Sequence, residues 1–544
     1  MKIKKLKSVK EIESCNSIEL GDFNRIQPHG VWLELDSKMR IMQYSENAPA
    51  FLETSLEVLL NHSILDFLKP EHSEDTVSLW LTTPFSQYKS AVWAAPQKQI
   101  PILIFIHQEQ GAISLEIERN TEPTAPVYFN EFVMAAMKNT LQCKTIDELA
   151  KVSCEGIKKI TEYNSVMIYQ FDPADYTGIV IGEASDKEMP SYFGLRFPST
   201  DIPASVREMY IKMPLRYIPS ILDEPVKIIS RENQETRQVA NLKRSNLRMV
   251  APVHVQYLKN MGVCSASSAA IMREDRLWGL IACHHREPKY LTQIHCYILE
   301  LFANIVASQA LAIESIQNLH DEQQIGTMYT ELTRLFRNSK SISAAMAECN
   351  QNLMQLVTST GMSVYLQHNL LNYGETPEEK EIMDLLSWLD KKDFLHTWHT
   401  ESLPLEYEAA LWFKNKACGI FVIKIAQLEN HYFLFYKPEI INTIAWAGDP
   451  AEAIKGDGKK YYPRDSFERY LEKVENHSSL WTQHDVKSAA LIQSLITTRE
   501  LQDLLQNQAM YDPLTQLLNR LYLEETGLSN VLSVNSDLSR PIIN

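Results

Sequence analysis

The sequence predicts an α+β protein made of three tandem domains joined by long helices, with a C-terminal helical linker. Three observations carry that expectation. The chain has 544 residues, too many for a single hydrophobic core. Short apolar runs with strand character alternate with brief helical pieces in three separate stretches. Two long stretches, from Thr292 to about Asn338 and from about 480 to 510, place apolar residues at helical spacing.

The elements follow in order. Residues 1–20 have little periodic apolar pattern and read as an extended arm carrying Cys15. The first domain spans 21–125, with strands at Val31–Leu35, Met39–Tyr44 and Ile102–Ile106 and a helical piece at Ser55–Leu60. Thr121-Glu122-Pro123-Thr124-Ala125-Pro126 closes it as a linker. The second domain, 126–315, has an amphipathic helix around 130–160 and strands at Val166–Phe171, Gly178–Gly182 and Leu277–Cys283. Ile294, Ile298, Leu301, Phe302, Ile305 and Val306 mark the following long helix as a spine between domains. The third domain, 316–478, has strands at Ser363–Leu366 and Gly419–Ile425 and a loop-rich region around Trp446–Pro463. Leu491, Leu495, Leu501, Leu504 and Leu505 then set out a helix over 479–511, read as a dimeric coiled-coil linker although its heptad is imperfect.

Composition excludes several classes. With 45% hydrophobic and 22% charged residues the chain is of ordinary globular make-up. A formal net charge of −15 argues against nonspecific nucleic-acid binding. The basic start Lys2–Lys7 lacks the apolar run and cleavage site of a signal peptide, and no stretch approaches a run of about 18 consecutive apolar residues. Eight cysteines (15, 143, 154, 264, 283, 296, 349 and 418) are scattered without a CxxC pair, so neither a disulfide framework nor a metal site is expected. The expectation is a reduced, cytoplasmic protein without membrane or nucleic-acid partners.

Two segments carry the chemistry. Phe197-Pro198-Ser199-Thr200-Asp201-Ile202-Pro203 holds a carboxylate between prolines, which fix φ and remove backbone donors. Ala251-Pro252-Val253-His254-Val255-Gln256-Tyr257 holds an imidazole ahead of a small-residue apolar segment. Rigid turns over an apolar pocket suit a ligand with several N–H donors and polar arms at its rim. On local pattern alone, Asp201 reads equally as a helix N-cap with proline in the first turn. Pro463–Phe467 likewise reads as a helix start, with Asp465 or Ser466 near the N-cap.

Both segments resemble the chromophore-binding GAF domain of phytochromes, and the chain resembles a PAS-GAF-PHY bacteriophytochrome over roughly residues 10–520. The first matches the family's Pro-Ala-Ser-Asp-Ile-Pro, with Ser199 and Thr200 as small departures; the second continues as Pro-x-His-x-x-Tyr-x-x-Asn-Met-Gly. The resemblance implies a linear tetrapyrrole, with the Asp201 carbonyl accepting from pyrrole N–H groups and His254 sharing the central water. It implies Arg216 and Arg248 on the propionates, where a guanidinium fork fits a carboxylate bidentately. His284, in Trp278-Gly279-Leu280-Ile281-Ala282-Cys283-His284, matches the donor to the terminal-ring carbonyl, and Ser268 keeps a family serine. Ala251 and Ala266 stand where serine is frequent. Tyr169, Tyr192, Phe197, Tyr210 and Tyr257 would be aromatic walls.

The attachment point separates pigment classes. In plant-type and many cyanobacterial relatives a cysteine precedes the pocket histidine; here that residue is Val253. Cys15, upstream of Ile26-Gln27-Pro28-His29-Gly30, matches the bacterial group that attaches biliverdin IXα through its vinyl side chain. Trp446-Ala447-Gly448 and Pro463-Arg464-Asp465-Ser466-Phe467 resemble the phytochrome tongue, at about 444–468. This implies that Arg464 pairs with Asp201 in one state and Ser466 replaces it in the other, while the tongue changes between strand and helix. Asp512-Pro513-Leu514-Thr515-Gln516-Leu517-Leu518-Asn519-Arg520 resembles the entry to a GGDEF diguanylate cyclase. Over 512–544 no catalytic loop follows, so GTP turnover by this chain is not expected. The resulting expectation is a homodimeric red/far-red photoreceptor without enzyme activity. The alternatives are a light-regulated cyclase and a GAF/PAS ligand sensor without photochemistry.

Overall fold

The structure, a computed structural model, describes residues 24–70, 87–95, 98–109, 112–120, 127–230, 240–242, 245–366, 368–425, 431–450, 465–510 and 517. It divides into two compact units, Met1–Ser315 with Ile444–Glu472, and Ile316–Thr443 with Lys473–Asn544. Cys15, Arg464, the 1–20 arm and all but Leu517 of the 512–544 segment lie outside the described residues.

In the first unit, strands β1 (Arg25–Ile26), β2 (Gly30–Leu35), β3 (Ile41–Ser45), β4 (Leu68–Pro70), β5 (Gln87–Ala94), β6 (Gln99–Glu109) and β7 (Ala112–Arg119) form most of one sheet. Its eighth strand comes from far downstream: β12 (Val226–Ser230) inserts between β1 and β3, giving the order β1-β12-β3-β2-β7-β6-β5-β4. Strand alternation divides the faces. Val31, Leu33, Ile104, Ile106, Leu115 and Ile117 point into one apolar core with Leu59 and Ile64. Trp32 points the other way, joining Ile26, Ile228, Leu242 and Leu247 in a second, smaller core. The helix Leu56–Asn61 starts where expected, with the Ser55 hydroxyl accepting from Val58 N–H.

The second sheet of this unit contains β8 (Ser165–Phe171), β9 (Gly178–Ser185), β10 (Arg196–Phe197), β11 (Leu215–Ile218), β13 (Ser265–Arg273) and β14 (Arg276–His285). One face packs on helices: Val166, Ile168, Ile271, Ile281 and Cys283 meet Leu149, Ile157, Phe302 and Val306. Alternation turns Met167, Tyr169, Ala266, Ala270 and Leu280 to the opposite face. The single helix expected around 130–160 is two, Val127–Leu141 and Ile146–Thr161. The break has a local cause: Thr145 caps Glu148 N–H, and the Glu148 carboxylate accepts from Lys144 N–H. The long helix runs Gln293–Asn338. It is apolar and long enough to cross a membrane by composition, yet Ile298, Leu299, Phe302, Ala303 and Val306 are buried in the helix–sheet core.

In the second unit, β15 (Gly361–Leu366), β16 (Asn369–Gly374), β17 (Thr397–Thr400), β18 (Gly419–Ile425) and β19 (His431–Lys437) form an antiparallel sheet ordered β16-β15-β19-β18-β17. Phe421, Ile423, Phe433 and Phe435 pack on Leu353, Ile492 and Ile496, so the helix Gln483–Met510 belongs to this core over its first half. Two further strands, β20 (Asn442–Ala447) and β21 (Arg469–Val474), extend the second sheet of the first unit past β10. Arg196 pairs in parallel with Trp446, and Trp446 Nε1 donates to Glu472 at 2.7 Å. The segment from Asp465 to Glu468 is not a helix start: Ser466 Oγ accepts from Glu468 N–H at 3.2 Å and the chain enters β21.

Candidate functional site

The sheet face left by β8, β11, β13 and β14 is covered by the helices Ala204–Lys212 and Pro252–Asn260, enclosing a cavity of about 300 Å³. Small residues on that face, Ala266, Ser268 and Ala282, leave the space that larger side chains would fill. The volume lies at the lower end of the range for small-molecule sites, and the lining is apolar with a few convergent polar groups.

Most of the expected residues meet there. Asp201, His254, His284, Arg216, Arg248, Tyr169, Phe197, Tyr210, Tyr257 and Ser268 all line the cavity. Tyr192 does not; it is buried one layer behind, edge-on to Phe197 at 5.8 Å, with its N–H donating to Glu183. Two turns of chain hold Asp201: a 3₁₀ turn Ser199–Asp201, then a helix whose N-cap is Pro203. Asp201 is therefore not the cap of that helix. Its Oδ2 accepts from the Tyr257 hydroxyl at 3.1 Å.

Pro252 opens the helix that presents His254 and Tyr257, whose rings stack at 5.9 Å with an interplanar angle of 16°. The accessible face of His254 opens onto the cavity within a shell of protein. Burial, then the Arg216 and His284 charges, lower its pKa to about 4. His284, placed by the alternation of β14, is lowered to about 4 by burial. Its Nδ1 has no hydrogen-bond partner among the described residues. Both imidazoles are neutral at pH 7, leaving each ring with one donor and one acceptor.

The cationic side of the cavity is built differently. Arg216, on β11, donates to the carbonyls of Arg248 at 2.8 Å, Met249 at 3.3 Å and Asn246 at 3.4 Å. Burial, then the neighbouring Arg248, push its pKa down to about 9. Arg248 is nearly buried and is lowered chiefly by burial as well. Tyr210 and Ser268 hydroxyls share a hydrogen bond of 2.7 Å beside them. Two guanidinium groups held this closely favour an anionic guest, because its charge offsets both their repulsion and their desolvation.

Other residues were not anticipated. Phe467, buried in the same apolar cluster, meets Tyr257 edge-on at 4.9 Å, bringing the segment before β21 against the cavity wall. Gln27 Nε2 donates to the carbonyls of Tyr217, Asn246 and Arg248, binding the chain before β2 to the arginine loop. The motif Ile26-Gln27-Pro28-His29-Gly30 signalled that stretch without revealing this role. All seven described cysteines are buried, and none lines the cavity. Among the described residues no cluster of His, Cys, Asp and Glu could hold a metal.

Comparison with known proteins agrees with this geometry. A family model for the PAS fold matches residues 15–120, one for the GAF domain 145–310, and one for the phytochrome region 325–504. Cyanobacterial phytochrome B of Nostoc sp. is 29% identical over 498 residues, covering 89% of this chain and 66% of the relative. A bacteriophytochrome of Pseudomonas aeruginosa is 27% identical over 394 residues, covering 70% of this chain and 53% of the relative. The chain thus spans about two thirds and about half the length of these relatives. The crystal structure of a bacteriophytochrome from R. palustris superimposes with a TM-score of 0.77 at 25% identity, over 90% of this chain and 99% of that one. Three domain matches in the expected order, over a fold of the same kind, lead to one conclusion: this chain belongs to the phytochrome family, as a PAS-GAF-PHY photosensory module.

Proposed function

We propose that the module is a red/far-red light photoreceptor holding a linear tetrapyrrole, biliverdin IXα, covalently at Cys15. The observation that carries this reading is the cavity, where two arginines and two neutral histidines converge on an apolar space beside the Asp201 turn. The residues fit such a group. His284 has a ring nitrogen unmet among the described residues, and the arginine pair suits two propionates.

When bound, a linear tetrapyrrole supplies red-light absorption and isomerisation about a double bond. Arg216 and Arg248 bind and orient its anionic arms, with Tyr210 and Ser268 alongside. His254 and the Asp201 main chain face its N–H groups, and His284 donates to the terminal carbonyl. Tyr169, Phe197 and Tyr257 exclude water and restrict ring motion. Support for Cys15 comes from the wall nearest it in sequence: Met249, a lining residue, donates its N–H to the Arg25 carbonyl. The segment from Cys15 to Arg25 can span up to roughly 35 Å, ample to return to that wall.

The strands β20 and β21 then represent one state of the tongue. In a second state Ser466 would take the place of Arg464 at Asp201, and the helices Gln293–Asn338 and Gln483–Met510 would carry the change. Exposed Leu501 and Leu505 on the latter suit pairing with a second copy in a homodimer. The test is coexpression with haem oxygenase and spectra after red and far-red light. Reversible difference spectra are expected; absence of red absorption overturns the reading. Cys15→Ala should abolish zinc-stained pigment on a denaturing gel, and persistent staining moves the link elsewhere.

A further inference from the structure

The two arginines of the cavity lean on a loop, and that loop leans on the first sheet. On β7, Leu115 and Ile117 point into the sheet's own core, so alternation sends Glu116 and Glu118 to the opposite face. An acidic side chain there would ordinarily face solvent, yet Glu116 is only 2% exposed. Its Oε1 lies 2.5 Å from His107 Nε2 and accepts from Asn246 N–H at 3.2 Å, while Oε2 accepts from Leu247 N–H at 3.0 Å. These are consecutive amides of the loop whose carbonyls, at Asn246, Arg248 and Met249, receive the Arg216 guanidinium.

We propose that Glu116 is a positioning residue for the arginine pair: its carboxylate fixes the 246–248 loop that orients Arg216 at the anion-binding end of the cavity. The geometry requires a carboxylate. Two parallel N–H donors one residue apart match its two oxygens, whereas an amide would turn a donor towards one of them. Electrostatics points the same way, since the Glu116 charge acts on Arg216 and on Arg248 to raise pKa values that burial lowers. The charged and titratable groups facing this arrangement include His107 on β6, Glu118 on β7, Arg216 on β11, Arg248 on the loop, and His29, Tyr210 and Tyr217 nearby. Glu118 is pushed up to about 7 by burial, then by the Glu116 charge.

This inference rests on the proposed tetrapyrrole reading, and the experiment separates their failures. The full chain is loaded with biliverdin as wild type, Glu116→Gln, Glu116→Asp and Glu118→Gln. Affinity for biliverdin, and for its dimethyl ester that lacks the anionic arms, is measured in a Cys15→Ala background so that a thioether does not mask weakened binding, and thermal stability is followed in parallel. If the chain with Glu116 intact takes up no pigment, the functional reading fails first. If it does, Glu116→Gln should weaken affinity for biliverdin about tenfold and leave affinity for the dimethyl ester unchanged, the scale of one misplaced hydrogen bond to a charged group. Glu118→Gln should bind biliverdin as the parent does. Glu116→Asp keeps the charge but cannot reach both amides, so it should weaken biliverdin affinity by a similar factor. That variant decides the matter if Glu116→Gln does not fold. Unchanged biliverdin affinity in Glu116→Gln, an equal loss in Glu118→Gln, or parental affinity in Glu116→Asp would overturn the proposal.

Discussion

The Tyr257 hydroxyl donates to Oδ2 of Asp201 at 3.1 Å, tying the helix that carries His254 to the 3₁₀ turn across the cavity. The Tyr257 and Phe467 rings also pack T-shaped, so one side chain joins the turn, the histidine helix and the segment before β21. Tyr257→Phe keeps the ring packing and removes only the donor. It should cost about 1 kcal/mol in chemical denaturation, the usual worth of one hydrogen bond. In the pigmented protein it should also reduce the amplitude of the light-minus-dark difference spectrum. An unchanged spectrum would show that the Asp201 turn is held by other groups.

Proton uptake gives a second prediction. Burial, aided by Arg216 for His29 and His254, lowers three histidine pKa values: His29 to about 3, and His254 and His284 to about 4. These lie below the ordinary value near 6.5, so the unfolded chain takes up protons before the folded one does. Stability of the pigment-free protein should be full above about pH 6.5 and decline as pH falls from there through 4. Urea denaturation at pH 7, 6, 5 and 4 measures it. His284→Gln should flatten the slope by up to one proton.

In the second unit, Lys437 Nζ lies 3.1 Å from Asp485 Oδ2, with side-chain exposures of 5% and 0%. Lys437 also donates to the Leu480 carbonyl and sits 4.0 Å above the Trp481 ring, while Asp485 accepts from Thr358 and from Thr482 N–H. Lys437→Met would leave the first turn of the Gln483–Met510 helix with an uncompensated buried carboxylate. The expected loss is about 3–5 kcal/mol. Adding Asp485→Asn to the same chain should recover part of it.

On β14, beside the strand that carries Tyr169, Gly279 has no room for a methyl group. A Cβ on Gly279 would stand 2.4 Å from the Tyr169 carbonyl oxygen on the neighbouring strand. Gly279→Ala should therefore destabilise the protein by about 1–3 kcal/mol, the usual penalty for overpacking. Because the displaced strand carries Tyr169, the pigment absorption maximum should move as well. A stable variant with an unshifted maximum would mean that β8 and β14 separate locally.

The sequence disclosed what depends on neighbours along the chain. Val166–Phe171 alternates because one face meets helices and the other the cavity, and Pro252 starts a helix that needs only local geometry. The site motifs were legible for the same reason, being short and contiguous. What stayed hidden depends on distance. Glu116 looks like any strand-edge acid until its amide partners arrive from 130 and 131 residues away. Tyr192 and Phe197 have the same aromatic character, and only packing order puts one behind the other. The break between Leu141 and Ile146 was written as Thr145-x-x-Glu148, a signal that continuous helical periodicity across it obscured.

The strand β12 lies between β1 and β3, although almost two hundred residues of chain separate it from each. A gene cut near codon 125 would strip the first sheet of an interior strand and leave Trp32 and Ile228 without the core they share. What reads as two modules in the sequence is thus a single inheritable block. Exchange of the second domain alone would have to bring in a strand able to pair with both β1 and β3.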